Sequence, residues 1–153
     1  MTEFVPRRAA RVLLLDAEDR LLLFRGTDPA RSGHVYWFTP GGGLQPGERV
    51  PDGAARELYE ETGLRVSPAE LGEPVWQEVT EFPFNGVWYR QQQQFFLLRV
   101  ATWEVDTTGF DEIERGCIDG HRWWSPAELA ATAERYYPTN LPDLLRDLVD
   151  ERC

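Results

Sequence analysis

The segment Gly42 to Leu64, GGLQPGERVPDGAARELYEETGL, restricts what this chain can fold into more than any other part of it. It follows a β-rich run, Val35 to Phe38, which should end at Pro40-Gly41-Gly42-Gly43, where no regular element is expected to continue. Gly47 to Pro51 reads as further loop. Asp52 to Thr62 reads as a helix, with Pro51 or Asp52 at its start and Gly63 just past its end. Ala54, Ala55 and Leu58 are spaced to face a core. A glycine-rich loop must therefore feed directly into a packed helix.

That helix carries an acidic face. Glu57 and Glu60 are three residues apart and Glu57 and Glu61 four, so the three carboxylates share one side. Like charges at this spacing repel by roughly a few tenths of a kcal/mol per pair. Several hard oxygen ligands on one rigid face suit Mg²⁺ or Mn²⁺, and carboxylate-bound Mg²⁺ commonly takes substrate phosphates as further ligands. A solvated acidic face is the plain alternative. The glycine-rich loop, with Glu48 and Arg56 at fixed offsets, favours a metal–diphosphate platform. Arg56 can pair with Glu60 on the helix and with Glu48 in the loop, which would make Glu48 and Arg56 a structural clamp. The glycines let backbone groups approach a metal or phosphates closely. Two competing motifs fail. Gly42 and Gly47 have P-loop spacing, but Glu48 stands where lysine is needed, and the glycines do not fit G-x-G-x-x-G.

At 153 residues the chain is expected to form one domain, residues 1–153, with enough apolar content to fold without disulfides or a structural metal. Its two cysteines, Cys117 and Cys153, read as reduced thiols. The start has only a four-residue apolar run, Val12 to Leu15, too short for a signal peptide, and no window suits a membrane span. A cytoplasmic protein with no membrane partner is the expectation. The formal net charge is −10 and all 16 basic residues are arginine. That balance argues against a nucleic-acid binder, though anionic small molecules remain accessible through divalent cations.

Around the central segment, Arg11 to Leu15 and Leu21 to Arg25 read as strands joined by a polar turn. Glu78 to Glu81 and Val87 to Val100 flank Phe82-Pro83-Phe84-Asn85-Gly86, a strong hairpin signal. The second arm is long and expected to be central. His121 to Trp124 leads into Ser125-Pro126-Ala127-Glu128, a capping box, and Leu141, Leu144, Leu145, Leu148 and Val149 form one face of a last helix. Strands and helices that do not strictly alternate indicate an α+β fold with a mixed sheet.

Gly42 to Leu64 resembles the Nudix box, G-x5-E-x7-R-E-U-x-E-E-x-G-U with U aliphatic. Gly42, Glu48, Arg56, Glu57, Leu58, Glu60, Glu61, Gly63 and Leu64 fill every fixed position. The order of elements around the box is similar too. The resemblance to Nudix hydrolases implies an α/β/α sandwich around a mixed β-sheet. It implies Mg²⁺-dependent hydrolysis of a nucleoside diphosphate linked to another moiety, with Mn²⁺ as a substitute. Glu57, Glu60 and Glu61 would then be catalytic and metal-facing, Gly41 would offer its carbonyl to the metal, and Glu48 and Arg56 would hold the loop. Metals in such a site neutralise the diphosphate and lower the pKa of a water that attacks phosphorus. A homologue that binds a nucleotide without cleaving it is the alternative, although such proteins usually have broken boxes. An isopentenyl diphosphate isomerase-type member would need a catalytic cysteine, and no cysteine stands in such a context.

Outside the box, the resemblance suggests one more acid from the loop GFDEIERG. Of Asp111, Glu112 and Glu114, Glu112 is preferred, against the reading of a solvated loop. Arg25 ends a strand and is a candidate phosphate contact or a plain surface arginine. Trp88, Arg90, Gln92 and Gln94 share one face of a strand, and Tyr89, Gln91, Gln93 and Phe95 the other. Two polar faces on a central strand suggest a polar pocket against the sheet, or a merely exposed strand. Trp88, Arg90 and Gln92 are the candidate substrate contacts there. Tyr36, Trp37, Phe38 and Phe82 could stack a base or belong to the core. His34 and His121 read as structural or surface residues. The expected partner is a small nucleotide substrate, with homodimerisation left open. Subfamily signatures for ADP-ribose, diadenosine polyphosphates, coenzyme A or NADH are not evident; Phe82-Pro83-Phe84 is only faintly similar to the NADH-type pattern.

Overall fold

In the computed structural model, residues 3–150 are described, the side chain of Asp150 excepted; Cys153 lies outside them. The elements run β1 (Val5–Leu15), β2 (Leu21–Thr27), β3 (Val35–Phe38), β4 (Gly41–Gly43), α1 (Val50–Thr62), α2 (Pro68–Leu71), β5 (Trp76–Phe84), β6 (Val87–Arg99), α3 (Glu112–Cys117), β7 (Ile118–Trp124), α4 (Pro126–Ala131), β8 (Tyr136–Tyr137) and α5 (Leu141–Asp150). Every helix and strand expected from the sequence is present, several with longer bounds. β1 starts at Val5 rather than Arg11 because its first half pairs in parallel with β6, from Val5↔Tyr89 to Leu15↔Arg99. α1 starts at Val50, with Pro51 in its first turn.

The sheet runs β5-β6-β1-β2-β3-β8, with β4 paired to β1 and β7 to β2. β1/β6 and β3/β8 are parallel and the other pairs antiparallel, so the sheet is mixed. β6 is an interior strand, second from the edge between β5 and β1, and Asn85-Gly86 makes the β5–β6 turn with positive φ at both residues (49° and 80°). β1 meets β2 only at Leu15↔Leu21. Below that point the two strands part. β2 continues with β3, while the first half of β1 takes β4 through Ala9↔Gly43, Ala10↔Gly42 and Arg11↔Gly41. The Gly41–Gly43 segment, expected to be irregular, is therefore a short strand. It lies so close to β1 that a Cβ on Gly41 would sit 2.2 Å from the Ala10 carbonyl oxygen.

Alternation along β1 divides the core. Ala10, Val12 and Leu14 face Ala54 and Leu58 of α1, Leu71 of α2 and Phe96. Leu13 and Leu15 face Leu129 of α4 and Leu141, Leu144, Leu145 and Leu148 of α5. Helices thus cover both faces, giving the α/β/α sandwich. Its two apolar layers supply most of the folding free energy, at about 25 cal/mol per Å² of apolar surface removed from water. The capping box at Ser125 forms, with Glu128 N–H donating to Ser125 Oγ at 3.1 Å. No helix among the described residues is long and apolar enough to cross a membrane.

Candidate active site

The site is assembled where β4 and α1 meet. Ala54, Leu58, Glu61 and Thr62 form the buried stripe of α1, so Glu61 points inward with the apolar residues. Glu61 is 2 % exposed, and its carboxylate accepts the Gly41 N–H at 2.6 Å. Glu57, one turn earlier, packs against β4: a Cβ on Gly42 would fall 2.7 Å from its carboxyl carbon. A side chain at 42 would therefore push the Glu57 carboxylate out of its place. Glu60 shares the Arg56 Nη1 donor with Glu57 but is more open to solvent. It is 38 % exposed and meets Arg56 at 3.3 Å.

The third acid of the inner cluster comes from α3. Carboxylate oxygens of Glu57, Glu61 and Glu114 lie within 4.8 Å of one another. Glu112, the acid preferred on the sequence, is exposed and stands two positions before Glu114, on the opposite side of α3. The GFDEIERG segment, expected to be loop, is helical from Glu112 because Asp111 caps it. Glu114 N–H donates to Asp111 at 2.8 Å and Asp111 N–H donates to Glu114 at 3.0 Å. The pair Asp111-x-x-Glu114 is a capping box legible in the sequence.

Burial, together with neighbouring carboxylates, raises the pKa of Glu61 well above the ordinary carboxylate value, and burial raises that of Glu57. Three carboxylates crowded in this way suit a hard divalent cation, which would remove the mutual repulsion and keep all three ionised.

Arg56 spans loop and helix. Its Nε and Nη2 donate to the two oxygens of Glu48 at 2.8 and 2.9 Å, a fork-to-carboxylate pair. Nη2 also donates to the Gly43 carbonyl at 3.2 Å, and Nη1 to Glu57 at 3.0 Å. The Arg56 hydrogen bonds hold the Glu48 carboxyl below its ordinary pKa, and Glu48 in turn raises that of Arg56. Glu48 also accepts the Gln45 N–H at 2.9 Å, which closes the loop on itself.

Arg25 is paired with Asp119 through two bonds of 2.8 and 2.9 Å at the surface. Trp88, Arg90 and Gln92 lie on the exposed side of β6, apart from the acidic cluster. Arg90 pairs with Glu81 and lies over the Phe4 ring, whose edge meets Trp88. Gln92 lines a cleft of about 190 Å³ with Arg8, Leu44 and Val50. The buried polar face of β6 is the opposite one, with Gln91 1 % and Gln93 8 % exposed. Gln91 accepts from Arg7 at 3.0 Å and donates to Gln93 at 2.8 Å, and Gln93 donates to Glu78 at 2.9 Å. His34 Nδ1 accepts from Arg135 Nη1 at 2.8 Å, and His121 is exposed beside Phe24. Trp37 is core, edge-on to Trp124 at 5.1 Å.

The 103–109 loop fixes α3 relative to α1. The Asp106 N–H and Trp103 Nε1 both donate to the Thr62 carbonyl, at 2.9 and 2.8 Å. Gly109 packs on the helix so tightly that a Cβ would lie 2.5 Å from the Glu60 carbonyl oxygen. Beside α3, Phe24, Thr107, Phe110, Arg115, Ile118 and His121 line a half-open cleft of about 480 Å³.

The NUDIX domain family model matches residues 5–145. An RNA pyrophosphohydrolase of Rhodopseudomonas palustris (strain BisB18) is 30 % identical over 91 % of this chain and 78 % of its own length. The m7GpppN-mRNA hydrolase NUDT17 of Danio rerio is 45 % identical over 60 residues, which are 39 % of this chain and only 20 % of that protein. Among solved structures, the MutT protein from Methanosarcina mazei Go1 superposes with a TM-score of 0.68 at 19 % identity, covering 99 % of both chains. At that identity the likeness is one of fold.

Proposed function

The chain belongs to the NUDIX domain family, and on that premise we propose that it is a pyrophosphohydrolase that cleaves the phosphoric anhydride of a nucleoside diphosphate linked to a further group. The observation that carries this reading is the convergence of Glu57, Glu61 and Glu114 within 4.8 Å beside a glycine strand. Glu57, Glu61 and Glu114 would hold Mg²⁺, or Mn²⁺ in its place, with the Gly41 carbonyl as a further oxygen. The ion supplies charge neutralisation of the diphosphate and a lowered pKa for a bound water.

The chain's own residues do the rest. Arg56 and Glu48 keep the 43–48 loop folded over α1, so the backbone groups of β4 stay aimed at the acids. A water oxygen attacks phosphorus, the bridging P–O bond opposite it breaks, and two phosphorylated products leave. Glu112, which is exposed, and Glu60, which is partly exposed and paired with Arg56, are the carboxylates proposed to accept the water's proton. The 480 Å³ cleft beside α3 is large enough to take the nucleoside end. Arg25, Trp88, Arg90 and Gln92 are proposed only for parts of the substrate remote from the anhydride.

The similarity to RNA pyrophosphohydrolases over most of the chain favours a second substrate reading, the 5′ end of an RNA. A net charge of −10 limits any such contact to the terminal phosphates and first nucleotides. The test is product analysis by mass spectrometry with Mg²⁺ or Mn²⁺. The panel comprises ADP-ribose, a diadenosine polyphosphate, NADH, coenzyme A and a 5′-triphosphorylated RNA oligomer. Cleavage of an anhydride in at least one is expected. Binding of any of them with no cleavage would replace the enzyme by a nucleotide-sensing homologue.

A further inference from the structure

Arg11 is a half-buried cation on the core-facing side of β1. Its neighbours on the same side of β1, Leu13 and Leu15, are fully buried among apolar side chains. It stands where β1 and β2 have parted and the chain crosses from β3 to β4 through Thr39 and Pro40. That crossing is held by three bonds from β1. Val12 N–H donates to the Pro40 carbonyl at 2.9 Å, and Arg11 Nη1 donates to the carbonyls of Thr39 and Gly41 at 3.1 and 3.2 Å. From the other side, Arg11 Nε donates to Gln93 at 3.4 Å, and Gln93 is itself anchored on Glu78. The guanidinium lies 6.0 Å from the centre of the Phe38 ring. One planar fork thus ties both halves of the split sheet to the crossing segment.

We propose that Arg11 is a positioning residue for the metal-binding acids. Gly41 is the link. Its carbonyl takes Arg11, and its N–H donates to Glu61 at 2.6 Å. A carbonyl oxygen has two lone pairs, so Gly41 can accept from Arg11 and still offer a pair to a cation. Fixing both carbonyls that flank Pro40 fixes the Gly41 peptide, and with it the orientation of the Glu61 carboxylate. Burial holds the Arg11 guanidinium below the ordinary arginine pKa, and the nearby Glu61 and Glu57 carboxylates counter only part of that cost. Lysine cannot replace it here, because a single ammonium cannot bridge two carbonyls and Gln93 in one plane.

This inference rests on the proposed metal site, and the experiment separates the two. Mn²⁺ alone is titrated into wild type, Arg11→Lys, Arg11→Ala and Glu61→Gln, followed by electron paramagnetic resonance, with folding checked by circular dichroism. Arg11→Lys is expected to fold and to bind Mn²⁺ about 10–100-fold more weakly, the range for removing a group that supports a metal ligand. On a cleaved substrate, kcat should fall by a similar factor with KM within about twofold. Guanidinium added to Arg11→Ala should restore part of the Mn²⁺ affinity. Mn²⁺ affinity within twofold of wild type in a folded Arg11 variant overturns the proposal, as does a failure of both variants to fold. If Glu61→Gln binds Mn²⁺ like wild type, the metal site itself is wrong. If wild type binds Mn²⁺ but cleaves nothing, the reaction is wrong and the Mn²⁺ titration still decides Arg11.

Discussion

Replacing Arg56 by alanine should unfold the loop before it touches the chemistry. Arg56 retains 24 % and Glu48 12 % of their side-chain exposure, so the pair lies between the surface and interior cases. Breaking a buried pair costs about 3–5 kcal/mol and an exposed one about 0.2–1 kcal/mol, which places this truncation at about 2 kcal/mol. At about 2–4 °C per kcal/mol for a domain of this size, the melting temperature should drop by about 4–8 °C. Glu48→Gln alone and the double variant complete a cycle whose coupling should be about 1–2 kcal/mol. The effect has a pH signature. The folded pKa of Glu48 is depressed by Arg56, so its contribution is complete above the unfolded value of about 4.3. It is lost as pH falls through the lower folded value, so wild type and Arg56→Ala should converge in stability in acid. The expected kinetic accompaniment is a lower kcat, because β4 loses its bond from Arg56 to the Gly43 carbonyl. An Arg56→Ala protein that melts with wild type and shows only a raised KM would refute this and make Arg56 a substrate contact.

Glu61→Gln should lower the rate at least about 10²-fold by removing a metal ligand. The same variant should melt higher than wild type without metal. Burial and its carboxylate neighbours raise the folded pKa of Glu61, so metal-free stability falls as pH rises from about 4.3 towards that value. Calorimetry with and without Mn²⁺ checks both, and Mn²⁺ should raise the melting temperature of wild type far more than that of the variant. Leu58→Ala should cost about 2–5 kcal/mol in urea unfolding, since the side chain is fully buried under β1. Asp111→Ala removes a cap worth about 1 kcal/mol and loosens α3, so Mn²⁺ affinity should weaken while the global melting temperature moves little.

What was legible in the sequence was what is local. The spacing of Glu57 and Glu61, their Arg56–Glu48 clamp, the Gly63 end of α1 and the capping box of α4 depend on separations of a few residues, and they read directly, whereas the start of α1 at Val50 has no side-chain cap to announce it. The choice between Glu112 and Glu114 was also local, through the Asp111 capping box, but two acids one residue apart in an acidic stretch look alike until the helix is recognised. The strand at Gly41–Gly43 has no side chains and hence no periodicity; only its pairing with β1 makes it a strand. Arg11 reads as one of several basic residues near the start, because nothing nearby in sequence says that β1 and β2 part above it. The glutamine run was ambiguous for the same reason. Which face of β6 is buried is set by Arg7 and Arg11 on a strand more than 80 residues away.

The 103–109 loop packs on the end of α1 and leads into α3, so the helix that supplies two of the acids has its last carbonyl, that of Thr62, satisfied by the segment leading to the third. Opening that loop strips partners from the Thr62 carbonyl, and fraying the last turn of α1 releases the loop. The two segments should therefore open as one cooperative unit, with the amides of the last turn of α1 and of 106–114 exchanging with deuterium at a common rate. A ligand that bridges Glu61 and Glu114 would slow that exchange in both segments together, including at amides that touch no ligand.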